Sequence, residues 1–370
     1  MFMAIRELRH AKTRYILISL IMVLIAWLVL FVTGLAQGLA SDNASSIQQM
    51  NADYLVLQQD SNQRLTRSML DHQTIEQVKQ HAEDAAFTPL GVQMTTITSS
   101  QIEKKTDITF FAINPKGVLA PQVVEGRMID DSSPTEIVID RSAKDNGLAL
   151  GDSILDQTSG QSFTIVGFTK GQSFSHTPVA HMNLEGWQLL QQSRMSPEDG
   201  NNPSFNAVAI TGAQALADEI SNQVSGVEVI GKSQVLQGIP GYKEEQGSLL
   251  MMVAFLFIIA AFVLAVFFYV MTIQKINQFG VLKAIGAKMS YLARGLICQV
   301  LILSITSLAV SIGLTYGVSL MLPESMPFEL NGSVIAICIV LFLFVSLIGS
   351  LLSLYRVAKV DAIEAIGRAA

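Results

Sequence analysis

Four windows of this chain contain no charged residue: 15–41, 246–274, 295–323 and 330–355, each 26 to 29 residues long. About 20 apolar residues cross the hydrocarbon of a bilayer as a helix, so each window is long enough to span it with some tilt. In lipid the backbone must satisfy its own hydrogen bonds, which leaves helices as the solution for windows of this length. Half of the 370 residues are apolar and 15% are charged, a balance far from that of an ordinary soluble domain. The small residues from Gly34 to Ala40 also suit a signal-peptide cleavage site. The first apolar run is too long for a usual signal sequence, and an uncleaved span is predicted.

Basic residues set the orientation. The segments 1–14, 275–294 and 356–370 hold Arg6, Arg9, Lys12, Arg14, Lys275, Lys283, Lys288, Arg294, Arg356, Lys359 and Arg368, against only Glu7, Asp361 and Glu364. The positive-inside rule therefore predicts cytoplasmic termini and a cytoplasmic 275–294 segment, with the region between the first two spans outside. Residues 1–14 mix Phe2, Ile5 and Leu8 with bases and read as an amphipathic helix in the interface. The net charge of −6 comes mainly from acids in that outer region. Cys298 and Cys338, the only cysteines, fall inside apolar windows, which predicts buried thiols and no disulfide.

The outer region, 51–240, has no long apolar run. Strand-like stretches recur at 106–112, 136–140 and 162–167, with a helical pattern at 213–224, so an α+β domain is predicted. Residues 43–50 contain no Gly or Pro and extend the first span as a helical stalk to about 50. Gly34-x-x-x-Gly38 and Gly313-x-x-x-Gly317 would let helices approach closely, although small residues are common in spans generally.

The segment Gln274-Lys-Ile-Asn-Gln-Phe-Gly-Val-Leu-Lys-Ala-Ile-Gly-Ala-Lys288 carries Phe279, Leu282 and Ile285 near one helical stripe, among the small residues Gly280, Ala284 and Gly286. Two readings stand: a helix offering that stripe to a cytoplasmic partner, or an ordinary basic loop. QFGVLKAIGA, the ending Lys359-Val-Asp-Ala-Ile-Glu-Ala-Ile-Gly-Arg368 and the whole layout resemble FtsX/MacB-type ABC-transporter permeases. Leu148-Ala-Leu-Gly-Asp152 matches a turn in the core of their outer domains. Gly34-Leu-Ala-Gln-Gly-Leu-Ala40, Phe268-Tyr-Val-Met-Thr-Ile-Gln274 and Met326-Pro-Phe328 look closest to the haem-efflux permeases of the HrtB type. The resemblance implies an α-helical membrane protein of four transmembrane helices (MacB-like, type VII) with an extracellular α+β domain between helices 1 and 2. It also implies a homodimer working with two copies of a separate HrtA-like ATPase, which binds the ATP and pushes on the 274–288 helix. The cargo so implied is haem, taken up from membrane lipid as a substrate, with no permanently bound cofactor.

No Gly-x-x-x-x-Gly-Lys-Ser/Thr loop, His-Glu-x-x-His, paired cysteines or Gly-x-Ser-x-Gly elbow occurs, so an enzyme reading has no constellation to rest on. Nucleic acid is not an expected partner. None of the histidines lies in a span, and the four outer ones (His72, His81, His176, His181) read as solvated surface residues. Haem iron also accepts thioether, phenolate or carboxylate ligands. A helical stalk places Met50 about 12 Å beyond Asp42, and Pro240 suits a helix start that puts Tyr242 about 6 Å outside Gln246. Met50, Tyr242 and Glu245 are thus the candidate haem contacts. Equally, Met50 packs the stalk, Tyr242 anchors the interface and Glu245 caps its helix. Phe31, Phe174 and Phe328 are aromatic candidates for the porphyrin faces, or for lipid and core.

Three functions are consistent with this reading. One is haem efflux from the membrane of a bacterium with a single membrane. Another is the same fold moving a lipid, lipoprotein or antimicrobial peptide. The third is an FtsX-like scaffold that moves no cargo and activates a cell-wall hydrolase.

Overall fold

A computed structural model describes residues 12–82, 87–99, 102–193, 203–323 and 326–358. The expected interfacial helix at 1–14 and the tail at 356–370 lie almost wholly outside these residues. The described chain forms two compact units. One comprises most of the apolar helices; the other, Leu39–Gly247 with Pro323–Pro327, is the inserted domain together with the end of the helix before it and the start of the helix after it.

Among the described residues four helices are long and apolar enough to cross a membrane: α1 (Lys12–Gln48) and, after the inserted domain, α6 (Tyr242–Ile273), α8 (Met289–Ser319) and α9 (Gly332–Ala358). A short helix, α7 (Ile276–Ala284), joins α6 to α8. The helical unit packs around Met22, Ala26, Leu264, Phe268, Val300 and Phe342, all nearly inaccessible. Polar side chains thread this apolar packing. The Ser311 hydroxyl donates to the Val23 carbonyl at 2.9 Å, and Ser19 and Ser307 hydroxyls lie 3.5 Å apart. Such small hydroxyl residues let α1 and α8 approach closely while satisfying each other in lipid.

Gly34 serves a contact within the chain. A Cβ there would stand 2.7 Å from the Phe328 ring and 2.9 Å from Leu330, and its carbonyl accepts from the Glu329 amide at 3.1 Å. The Phe328 ring in turn lies 5.4 Å from that of Phe31. In this chain the face of Gly34 is therefore filled by the 328–330 segment. Gly313 and Gly317 meet nothing within 4 Å.

The inserted domain is α+β. Its strands are β1 (Tyr54–Gln58), β2 (Phe87–Ser99), β3 (Ile102–Ala112), β4 (Val123–Gly126), β5 (Glu136–Asp140), β6 (Ser153–Asp156), β7 (Ser162–Thr169), β8 (Ser173–Phe174), β9 (Thr177–Met182), β10 (Ala207–Ile210) and β11 (Val227–Gly231). The main path of the sheet runs β11-β1-β10-β2-β3-β9-β5-β7-β4, with β6 pairing β2 and β7, and β8 pairing β9. Helices α2 (His72–His81), α3 (Leu184–Gln192), α4 (Gln214–Gln223) and α5 (Lys232–Gly238) complete the domain.

Side-chain caps start two of these helices. Asp71 accepts from the Thr74 amide at 2.8 Å, and the Thr74 side chain first, then this amide, holds its carboxyl below the usual range. Asn183 accepts from the Gly186 amide at 2.7 Å while its Nδ2 donates to the carbonyls of Asp130, Asp131 and Ser133. Packing then fixes the elements. Trp187 and Leu190 of α3 enter a core with Phe110, Phe163 and Phe168, and Gly91 of β2 lies directly under the Trp187 ring. In the 148–152 turn Gly151 has φ +87°, a glycine conformation, and Asp152 Oδ2 accepts from the Ala149 amide at 2.8 Å. That turn is structural.

Candidate functional site

The end of α1 docks on the 171–176 loop of its own domain. Ser45 and Ser173 hydroxyls meet at 2.9 Å, Gln49 Nε2 donates to the Gly171 carbonyl at 2.9 Å, and the Ser175 amide donates to the Asn43 carbonyl at 2.8 Å. The loop turns tightly, with Ser175 and His176 both left-handed at φ +51° and +62°. These values are uncommon for non-glycine residues. They aim the imidazole of His176 between α1 and the first turn of α6.

Four side chains meet there. Asn43 Nδ2 donates to Glu245 Oε2 at 2.5 Å. His176 Nε2 stands 3.2 Å from that same oxygen, and its Nδ1 stands 3.1 Å from Asp42 Oδ2. A neutral imidazole has one N–H, so only the doubly protonated ring can donate to both carboxylates at once. Glu245 is about four-fifths shielded, Asp42 and His176 less so. Asn43 is buried, and its Oδ1 has no hydrogen-bond partner among the described residues.

Of the three residues singled out from the sequence, Tyr242 and Glu245 share the first turn of α6, with Tyr242 half-buried and its hydroxyl 3.5 Å from Gln48 Nε2. Met50 lies apart from the polar cluster. The first helix runs to Gln48, within two residues of the expected end, and Met50 just beyond it packs with Ile47, Phe111 and Phe174. Its carbonyl accepts from Lys232 Nζ at 2.6 Å. Tyr242 packs against the edge of that core. Phe174, 5.7 Å from Phe111, is fully enclosed and presents no free face.

Of the histidines expected at the solvated surface, His176 is exposed and His181 is not. His176 is engaged as described. His181, on β9, is buried with its ring 6.0 Å from that of Phe111, and desolvation pushes its imidazole down to about 3 against a smaller opposing effect from the Val138 backbone. With Met50, Ser46 and Gln172 it lines a small cavity of about 60 Å³, far too small for a porphyrin. The Thr177–Met182 run, apolar around one histidine, carried the signal for His181. Nothing local signals His176, because its partners are 69 and 134 residues away. Among the described residues no group of three or more His, Cys, Asp or Glu side chains is arranged to hold a metal ion.

In the connecting segment, α7 ends at Ala284, whose side chain lies outside the described set. Gly280 is buried, Phe279 and Leu282 are half-buried, and Ile285, just past the helix, is 78% exposed. Each step of three residues falls about 60° short of a full turn, which carries Ile285 off the stripe begun by Phe279. Gly286 follows at φ +97° and stops the helix.

Residues 15–227 match the MacB-like periplasmic core domain, and residues 250–362 match the FtsX-like permease C-terminal family. The chain belongs to the FtsX/MacB family of ABC-transporter permeases. A protein of Staphylococcus haemolyticus named putative hemin transport system permease protein HrtB is 33% identical over 369 residues, covering 99% of each chain. A protein of the same name from Staphylococcus epidermidis is 32% identical, again over 99% of both. The extracellular domain of the noncanonic ABC-type transporter YknZ from Gram-positive bacteria is similar over 49% of this chain and 100% of its own, at 18% identity and a TM-score of 0.34. As a permease of this family the chain is the membrane component of an ABC transporter, and the family implies an ATPase partner.

Proposed function

We propose that this permease exports haem, or a similar amphipathic porphyrin, from the membrane, driven by a separate HrtA-like ATPase that acts on α7. The observation that carries the reading is similarity along the full chain to proteins named as hemin transport permeases. In this reading two permease chains work with two ATPase chains. The termini and α7 face the cytoplasm and the inserted domain faces outward, as the distribution of basic residues favours. The membrane is that of a Gram-positive cell.

Haem, planar and largely apolar, concentrates in the bilayer and meets protein where α1 and α6 carry polar groups. Tyr242 and Glu245 are the proposed contacts, and His176, one hydrogen bond from Glu245, joins them because imidazole also ligates haem iron. Glu245 exchanges Asn43 and His176 for cargo when haem is engaged. Met50 requires the local core to open before its thioether reaches a porphyrin.

The test is a haem titration of the purified permease followed at the Soret band. A shifted band, weakened in Tyr242→Phe and Glu245→Gln, is expected. No shift in the unmodified protein overturns the haem reading in favour of another cargo or a scaffold.

A further inference from the structure

Lys275 stands between α6 and α7, and it is buried to 3% exposure. A lysine so enclosed is costly unless its ammonium is engaged. Its Nζ donates to Gln299 Oε1 of α8 at 2.8 Å and lies 5.6 Å from the centre of the Tyr15 ring of α1. Both partners are themselves buried, Gln299 to 1% and Tyr15 to 5%. Among the described residues the Gln299 amide nitrogen has no hydrogen-bond partner, while its amide oxygen accepts from the lysine. At the same residue the backbone starts α7, with the Lys275 carbonyl accepting from the Phe279 amide at 2.9 Å.

Contacts between apolar helices in lipid have little directionality, and such helices slide past one another at small cost. A charge-assisted hydrogen bond shielded from water, with a cation over an aromatic face, resists sliding. We propose that Lys275 is the positioning residue that fixes α7 to α1 and α8, so that movement imposed on α7 by the ATPase reaches these two spans through its ammonium. This rests on the ATPase acting at α7, but not on the cargo being haem.

The test uses the full chain with its ATPase in lipid nanodiscs, with Cys338→Ala so that Cys298, next to Gln299, is the chain's one thiol. The maleimide labelling rate of Cys298 is read with and without ATP. The rate changes with ATP in the parent and stays flat in Lys275→Met, although the ATPase still co-purifies. Lys275→Arg retains the change, and Gln299→Leu reproduces the loss. A full ATP response in Lys275→Met, or none in the parent, overturns the proposal. Should Lys275→Met fail to assemble, a full response in Gln299→Leu overturns it equally. A Soret titration run in parallel reports separately on haem.

Discussion

Asn43 Nδ2 donates to Glu245 Oε2 at 2.5 Å, joining the end of the first long helix to the start of the second across 202 residues of sequence. His176 approaches the same oxygen, so one carboxylate holds both a helix and a loop. Glu245→Ala removes the acceptor from a buried amide. A loss of about 1–3 kcal/mol is expected for an orphaned buried donor. Limited proteolysis near residue 245 should accelerate in the variant, while Glu245→Gln, which keeps an acceptor, should remain close to the parent. Equal proteolysis of all three would remove the clasp from the account.

His181 makes stability depend on pH. Its folded value of about 3 lies below the ordinary 6.5, so the unfolded chain binds the proton more readily. The stability this residue supports is full above about pH 6.5 and falls by about 1.4 kcal/mol per pH unit from there toward pH 3. His181→Phe should flatten the pH dependence of thermal unfolding between pH 6 and 4, where carboxylates contribute less. An unchanged slope would show that the ring is hydrated in the folded protein.

Gly91→Ala should disturb the inserted domain. The added methyl stands 2.5 Å from the enclosed Trp187 ring, and overpacking of this kind costs about 1–3 kcal/mol. The expected signs are a lower melting temperature and a shift of Trp187 emission. An unaltered melting curve would mean that the ring has room to move.

Gly280→Pro falls in the middle of α7, where proline costs about 3 kcal/mol in a helix interior. Co-purification of the ATPase should drop severely while the permease still reaches the membrane. Undiminished co-purification would place the ATPase contact elsewhere on the chain.

The spans were legible because their apolar windows exceed what any core helix requires. Strand β5 matched its expected bounds, since Glu136–Asp140 is a short β-branched run between turn residues. Pro240 pointed correctly to a helix beginning at Tyr242. What stayed hidden depends on tertiary geometry. Met50 was open between a haem contact and a packing residue, and only the folded domain shows its side chain completing a core built from distant strands. His176 gains its role from two left-handed residues without glycine, a conformation that composition does not announce. Lys275 counted toward orientation by its charge, while its burial against Tyr15 and Gln299 required the packed helices.

Haem export is tested most directly by reconstituting the permease and its ATPase in liposomes whose bilayer carries haem, with a haem-binding acceptor protein outside. ATP should transfer haem to the acceptor, seen as growth of the acceptor's Soret band, and a hydrolysis-deficient ATPase should abolish that transfer. Active hydrolysis with no ATP-dependent haem transfer would contradict the account.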